Sequence, residues 1–136
     1  MIEEYDCFFD IEQSLYKTRL VSNISLKDVS SQEDGLHIVV MYRIEKHQNY
    51  HMSSLLKYVK IMNKKLYADN ILIDSLEQLG ELLKSKRLAA GLSLLKAYSS
   101  SGVIPKNISR IERGEDYNKS TLKKYLSTFP TILKIE

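Results

Sequence analysis

Cysteine is nearly absent: Cys7 is the single one in 136 residues. No disulfide can form within the chain, and burial has to supply the stability. A lone thiol fits a reducing compartment, so a cytoplasmic location is expected. Cys7 has no histidine or second cysteine beside it at ligand spacing and is expected to be a small buried residue. No apolar run approaches the ~18 residues that a membrane span needs. The first residues, M-I-E-E-Y-D, are acidic, unlike the basic start of a signal peptide. No phosphate-binding glycine loop is present, no serine has a motif-linked histidine, and no carboxylate pair sits in a recognisable setting, so no enzymatic activity and no cofactor are expected. His47 and His51 are four apart, but with His37 they lack a cysteine or a third close carboxylate, and the H-E-x-x-H pattern is missing. No metal site is expected.

Net charge is also scarce, at +3, too little by itself to point to nucleic acid. Its distribution carries more. Residues 1–34 hold 3 Lys and Arg against 8 Asp and Glu, residues 35–70 hold 6 against 2, and residues 71–136 hold 11 against 7. An acidic first quarter followed by a basic remainder suggests different partners for the two ends. The apolar fraction of 43% and charged fraction of 27% are those of an ordinary globular chain.

Periodicity organises the first half. Residues 2–21 read as a helix, with Ile2, Tyr5, Phe8 or Phe9, Leu15 or Tyr16, and Leu20 near helical spacing, acids in the first turns and Lys17 and Arg19 in the last. Residues 23–45 read as a β-hairpin. Its turn is S-S-Q-E-D-G at 30–35, and Leu36, Ile38, Val40, Tyr42 and Ile44 alternate in its second strand. A second helix is expected over 48–67, with Met52, Leu55, Leu56, Val59, Met62 and Leu66 as its apolar stripe and Lys57, Lys60, Lys64 and Lys65 largely off it. Those lysines make either a solvated outer face or a surface for nucleic acid or an acidic partner. Residues 68–74 read as a connection, with a turn at Asp69-Asn70 and a candidate boundary near residue 70.

Punctuation organises the second half. Ser75 with Gln78 forms a capping-box pattern that opens a helix bearing Leu76, Leu79, Leu82, Leu83 and Leu88, followed by Gly91. Ser93 caps a second helix and Gly102 marks a turn. Pro105 suits the first position of a third helix, which stops at Gly114. Ser120 is expected to cap a fourth helix, ended by Pro130. Within the third helix, Ile108 and Ile111 would face a core, while Ser109, Arg110 and Arg113 share the open face. Four short helices with a glycine turn between the second and third match a helix-turn-helix plan.

Leu79–Phe129 resembles the Xre family, the lambda-repressor/Cro-like helix-turn-helix domains. The matching text is L-G-E-L-L-K at 79–84, G-L-S at 91–93, G-V-x-P at 102–105, I-S-R-I-E-R-G-E at 108–115 and S-T-L-K-K-Y-L at 120–126. The chain departs from the family at Leu94, where a phosphate-touching Gln is usual, at Tyr98, where a small Ala is usual, and at Ser101, which replaces a core Leu. A shift of one would give Ala97 the small-residue role. The fourth helix followed by a short strand at 131–136 resembles repressor-antitoxins of the HigA and HipB type. That strand is expected either to pair across a dimer or to join the Leu36–Ile44 strand.

The resemblance implies a fold that is mainly α with a small β component: a helix-turn-helix domain over 75–130, preceded by an α+β segment of helix, hairpin and helix over 1–70. It implies a DNA-binding transcriptional regulator, most plausibly a repressor, acting as a homodimer on a palindromic operator. Lys106, Asn107 and Arg110 would meet base edges in the major groove. Ser109, Arg113, Lys119 and Lys123 would meet backbone phosphates. Glu112 would serve an intradomain salt bridge or helix cap. Residues 1–70 would bind a protein partner such as a toxin if the chain is an autoregulating antitoxin. The competing expectation is a protein-interaction module or inhibitor, of a phage anti-host kind, that uses the fold without specific DNA binding.

Overall fold

In the computed structural model residues 7–31 and 36–136 are described. In chain order they form helices α1 (Cys7–Val21), α2 (Leu26–Ser30), α3 (Ile38–Glu45) and α4 (Met52–Ile61), strands β1 (Leu66–Ala68) and β2 (Ile71–Ile73), helices α5 (Leu76–Ala89), α6 (Leu94–Ser101), α7 (Pro105–Arg113) and α8 (Lys119–Leu126), and strand β3 (Leu133–Ile135). The architecture is mainly helical, with one antiparallel sheet ordered β2-β1-β3. Among the described residues no helix is long and apolar enough to cross a membrane.

Several expected elements form where the periodicity put them. Phe8, Ile11 and Leu15 bury one face of α1; residues 2–6 of that expected helix lie outside the described residues. Cys7 is buried. The expected stripe from Met52 to Leu66 is buried throughout, yet the helix is shorter than 48–67. His51 is the N-cap of α4, Asn63 turns the chain at φ 58°, and Leu66 belongs to β1. The expected connection at 68–74 is the second limb of a hairpin. Asp69 and Asn70 take φ 49° and 68°, both left-handed, which is the combination a two-residue hairpin turn requires.

The hairpin expected over 23–45 is absent from the described residues and is replaced by α2 and α3 (its turn residues 32–35 lie outside the description). Ile38, Val39, Val40, Met41 and Tyr42 are apolar at every position, so period 2 and period 3.6 both fit the string. Packing decides between them. As a helix, α3 places Met41, Ile44 and Glu45 on its buried side. The His37 side chain caps it by accepting from the Val39 N–H at 3.2 Å. With the Leu36–Ile44 strand gone, β3 does not join it: within the chain it lies antiparallel to β1, with Leu66 opposite Ile135 and Ala68 opposite Leu133. The expected boundary at residue 70 is therefore a turn position in a hairpin across which the chain's last strand returns. One continuous core runs from Phe8 through Leu55 and Leu83 to Leu133.

The two halves of the molecule repeat one another. Ser25 caps α2 and Ser93 caps α6. Asn23 and Gly91 are both left-handed before those caps, and His47 and Gly114 are both left-handed after α3 and α7. Met41, Ile44 and Leu55 are buried in the first half as Ile108, Ile111 and Leu122 are in the second. Arg19 forks onto Glu45 at 2.7 and 2.8 Å and donates to the Ile24 carbonyl. Arg87 forks onto Glu112 at 2.7 and 3.0 Å and donates to the Leu92 carbonyl. Tyr58 donates to Glu45 and Tyr125 to Glu112. In sequence the match is legible as M-Y-R-I-E-K at 41–46 beside I-S-R-I-E-R at 108–113, and as Y-H-M-S-S-L-L-K-Y at 50–58 beside Y-N-K-S-T-L-K-K-Y at 117–125.

Where the halves meet, the central residue of each pairing faces its own repeat counterpart. Tyr67 is opposite Lys134 at the centre of the β1–β3 ladder, and His51 bridges to Asn118. Around that bridge the Met52 N–H donates to the Tyr117 carbonyl and the Lys119 N–H to the Tyr50 carbonyl. The capping is reciprocal too. The Ser53 N–H donates to Asp116 and the Ser120 N–H to Asn49, so each half satisfies the open N-terminus of the other half's helix. The expected cap at Ser120 is thus displaced: Asn118 precedes α8, which begins at Lys119. Two self-facing pairs define a twofold axis through Tyr67–Lys134 and His51–Asn118.

Candidate nucleic-acid interface

Helix α7 is positioned by α5. Gly80 makes their close crossing possible: a Cβ there would lie 2.5 Å from the Ile111 carbonyl oxygen. Gly114 ends α7 at φ 76°, and a Cβ there would meet the Glu77 backbone N at 2.5 Å. The Arg87–Glu112 pair ties the last turn of α7 to the end of α5, with both side chains under a tenth exposed. The fork from Glu112 raises the Arg87 guanidinium pKa above its ordinary value, and burial raises the Tyr125 phenol beside it. This is the intradomain salt bridge expected of Glu112.

Helix α6 braces the other side. The Ser93 hydroxyl accepts from the Lys96 N–H at 3.2 Å. Ala97 is fully buried and Tyr98 is exposed, so Ala97 is the small residue of α6 that faces the core. Ser101, where a core Leu was expected from the resemblance, works through its hydroxyl. It donates to the Ala97 carbonyl at 2.7 Å and accepts from the Val103 N–H at 3.1 Å. That closes the end of α6 just before Gly102 turns the chain at φ 78°. Pro105 then starts α7.

These supports fix which side of α7 is open. Ile108 and Ile111 are fully buried. Lys106, Arg110 and Arg113 are exposed, and Asn107 and Ser109 are half-buried. Positions 106, 110 and 113 fall on one helical stripe. Arg113 forms an exposed ion pair with Glu115; among the described residues Lys106 and Arg110 form none. Lys123 is exposed on α8.

Lys119 does not belong to this surface, contrary to the expectation. Its ammonium is buried and donates to Glu12 Oε2 at 2.7 Å, with the Tyr50 ring 4.8 Å away. Glu12, at 1% exposure, also meets His47 Nδ1 at 2.8 Å and the Tyr50 hydroxyl. The spacing alone put Lys119 beside Lys123. Only its repeat counterpart, the buried Met52, would have marked position 119 as interior.

The repeat also brings forward residues that sequence reasoning passed over. On α3, Arg43 and Lys46 occupy the places of Arg110 and Arg113, and both are exposed. Before them on the same helix Ile38, Val39 and Tyr42 are 41%, 49% and 49% exposed. The signal that locates them is the shared R-I-E at 43–45 and 110–112. No protein-family model matches the chain, and neither a curated protein nor a solved structure matches it.

Proposed function

We propose that the chain is a sequence-specific DNA-binding transcriptional regulator, a repressor, in which α6, the Gly102 turn and α7 act as a helix-turn-helix and α7 enters the major groove. The observation that carries this reading is the division of α7: Ile108 and Ile111 are fully buried, while Lys106 and Arg110 stand exposed with no ion-pair partner among the described residues. A guanidinium held on a braced helix suits the O6/N7 edge of guanine, and Asn107 suits adenine. Arg113 and Lys123 supply phosphate contacts that position the helix without reading sequence. In an antitoxin-type regulator the first half of the chain would in addition receive a protein partner.

The test is selection of bound duplexes from a random pool by the full chain, repeated with Arg110→Ala. One enriched sequence, lost or relaxed with Arg110→Ala, is the expected result; no enrichment at low salt refutes the reading. A protein-binding module is the second reading. It is favoured by Leu95 and Tyr98, apolar side chains exposed on α6 where a backbone-facing helix would carry polar ones. Under that reading Arg110→Ala leaves function intact.

A further inference from the structure

We infer that one chain carries both reading helices. Helix α3 is the second, and a single molecule spans two unlike half-sites of a non-palindromic duplex. This rests on the DNA-binding reading of α7. Two elements related by a twofold axis lie at the same height along it, so the end of the molecule that presents α7 presents α3 as well. Duplex DNA has the same local symmetry, which is why twofold proteins read two half-sites about one helical turn apart. Here both halves of such an arrangement are covalently joined.

The helices are equivalent in place and different in chemistry. Arg43 and Lys46 keep the cations of Arg110 and Arg113. Arg43 forms no ion pair among the described residues, and Lys46 lies over the Tyr42 ring at 5.6 Å. Where α7 offers Lys106 and Ser109, α3 offers Val39 and Tyr42. Apolar side chains beside cations suit thymine methyl groups, so the α3 half-site is thymine-bearing and the α7 half-site is not its repeat.

The buried ionic cluster explains why the pair forms within one chain. Lys119 of the second half meets Glu12 of the first. Their counterparts across the axis are Met52 and Gly80, which carry no charge. Pairing two first halves would leave Glu12 buried without its lysine. Pairing two second halves would leave Lys119 buried without a carboxylate. The first leaves Glu12 only the His47 and Tyr50 contacts of its own half, the second leaves Lys119 without any carboxylate, and the mixed pair joins the two charges, a device that selects unlike partners.

The experiment uses the duplex enriched by the full wild-type chain. Light scattering gives the mass of the complex, and anisotropy titrations compare Arg43→Ala with Arg110→Ala. Circular dichroism checks that both variants, altered at exposed side chains, keep their helices. The expected result is one chain per duplex and two unlike halves. Each variant should weaken binding about tenfold or more and relax preference in a different half. A palindromic site bound by two chains overturns the inference and leaves the α7 reading standing. So does a site read in one half only and indifferent to Arg43→Ala, which makes α3 a protein-facing surface. No enrichment by the wild-type chain overturns both.

Discussion

Removing Glu112 isolates a buried cation, and the size of the effect follows from the geometry. Its carboxylate takes two charge-assisted bonds from Arg87, at 2.7 and 3.0 Å, and the guanidinium is only 8% exposed. Glu112→Ala leaves that guanidinium nowhere to hydrate, which costs about 3–5 kcal/mol. A chain of this length loses roughly 3–4 °C per kcal/mol, so the midpoint should fall by roughly 9–20 °C. Urea and thermal melts followed by far-UV circular dichroism measure this directly, the chain having no tryptophan to report by fluorescence. Glu45→Ala in the first half breaks the matching fork on Arg19, at 5% and 12% exposure. It should show a loss of the same order, slightly smaller because Arg19 is the more open cation. Replacing both partners, Arg87→Met with Glu112→Leu, should recover most of the loss, because apolar groups of similar size need no compensation. A loss below about 1 kcal/mol for Glu112→Ala, or a double variant no better than the single, would refute the claim that these forks are desolvated.

Two further perturbations address the packing and the pH response. Gly80→Ala puts a Cβ against the Ile111 and Glu112 backbone at 2.5–2.8 Å; α5 and α7 must separate, and a loss of about 2 kcal/mol or more in a denaturant melt is expected, whereas an unchanged midpoint would mean the crossing has slack. The Asp69 carboxyl feels burial, which pushes its pKa up. That push is outweighed by the bond from Lys86 at 2.6 Å and by the Ile132 N–H, so its pKa lies below the ordinary value. A depressed carboxyl binds its proton less readily folded than unfolded, so its contribution is present above pH ~4 and lost as pH falls further. Asp69→Asn should therefore lower stability at pH 7 and converge with the wild type near pH 2–3; a gap of constant size would contradict the Lys86 link.

The second half of the chain was legible because its punctuation is made of residues with one physical use. Ser75 and Ser93 cap helices, Pro105 opens one, and Gly102 and Gly114 turn left-handed where a side chain would strain. The first half hides the same plan behind other residues. Asn23 and His47 take the left-handed turns that Gly91 and Gly114 take later, and neither reads as a helix stop. Ile38 stands where Pro105 stands, so nothing announces the start of α3. Five consecutive apolar residues then satisfy a strand as well as a helix, and β-branched Val39 and Val40 tilt propensity the wrong way. Lys119 was misplaced for a related reason: a lysine is read as exposed unless its buried partner is known, and Glu12 lies more than a hundred residues away.

Comparing the halves separates what holds the fold from what faces outward. The Arg–Glu–Tyr forks, the serine caps and the buried Leu55 and Leu122 recur, because each is tied to a neighbour that would be left unsatisfied without it. The outward positions of α3 and α7 are free of that constraint, and there the halves part: Val39 against Lys106, Tyr42 against Ser109. Cations alone persist, Arg43 with Arg110 and Lys46 with Arg113, although no buried partner requires them. A solvated face needs neither arginine at one fixed place on both helices nor three large apolar groups around it on one. The ligand proposed above would account for both, being anionic along its whole length and locally different in its apolar groups. A duplex whose two half-sites carry different bases has that character, and under the proposed reading the divergence of α3 marks a second reading surface instead of the decay of a spare copy.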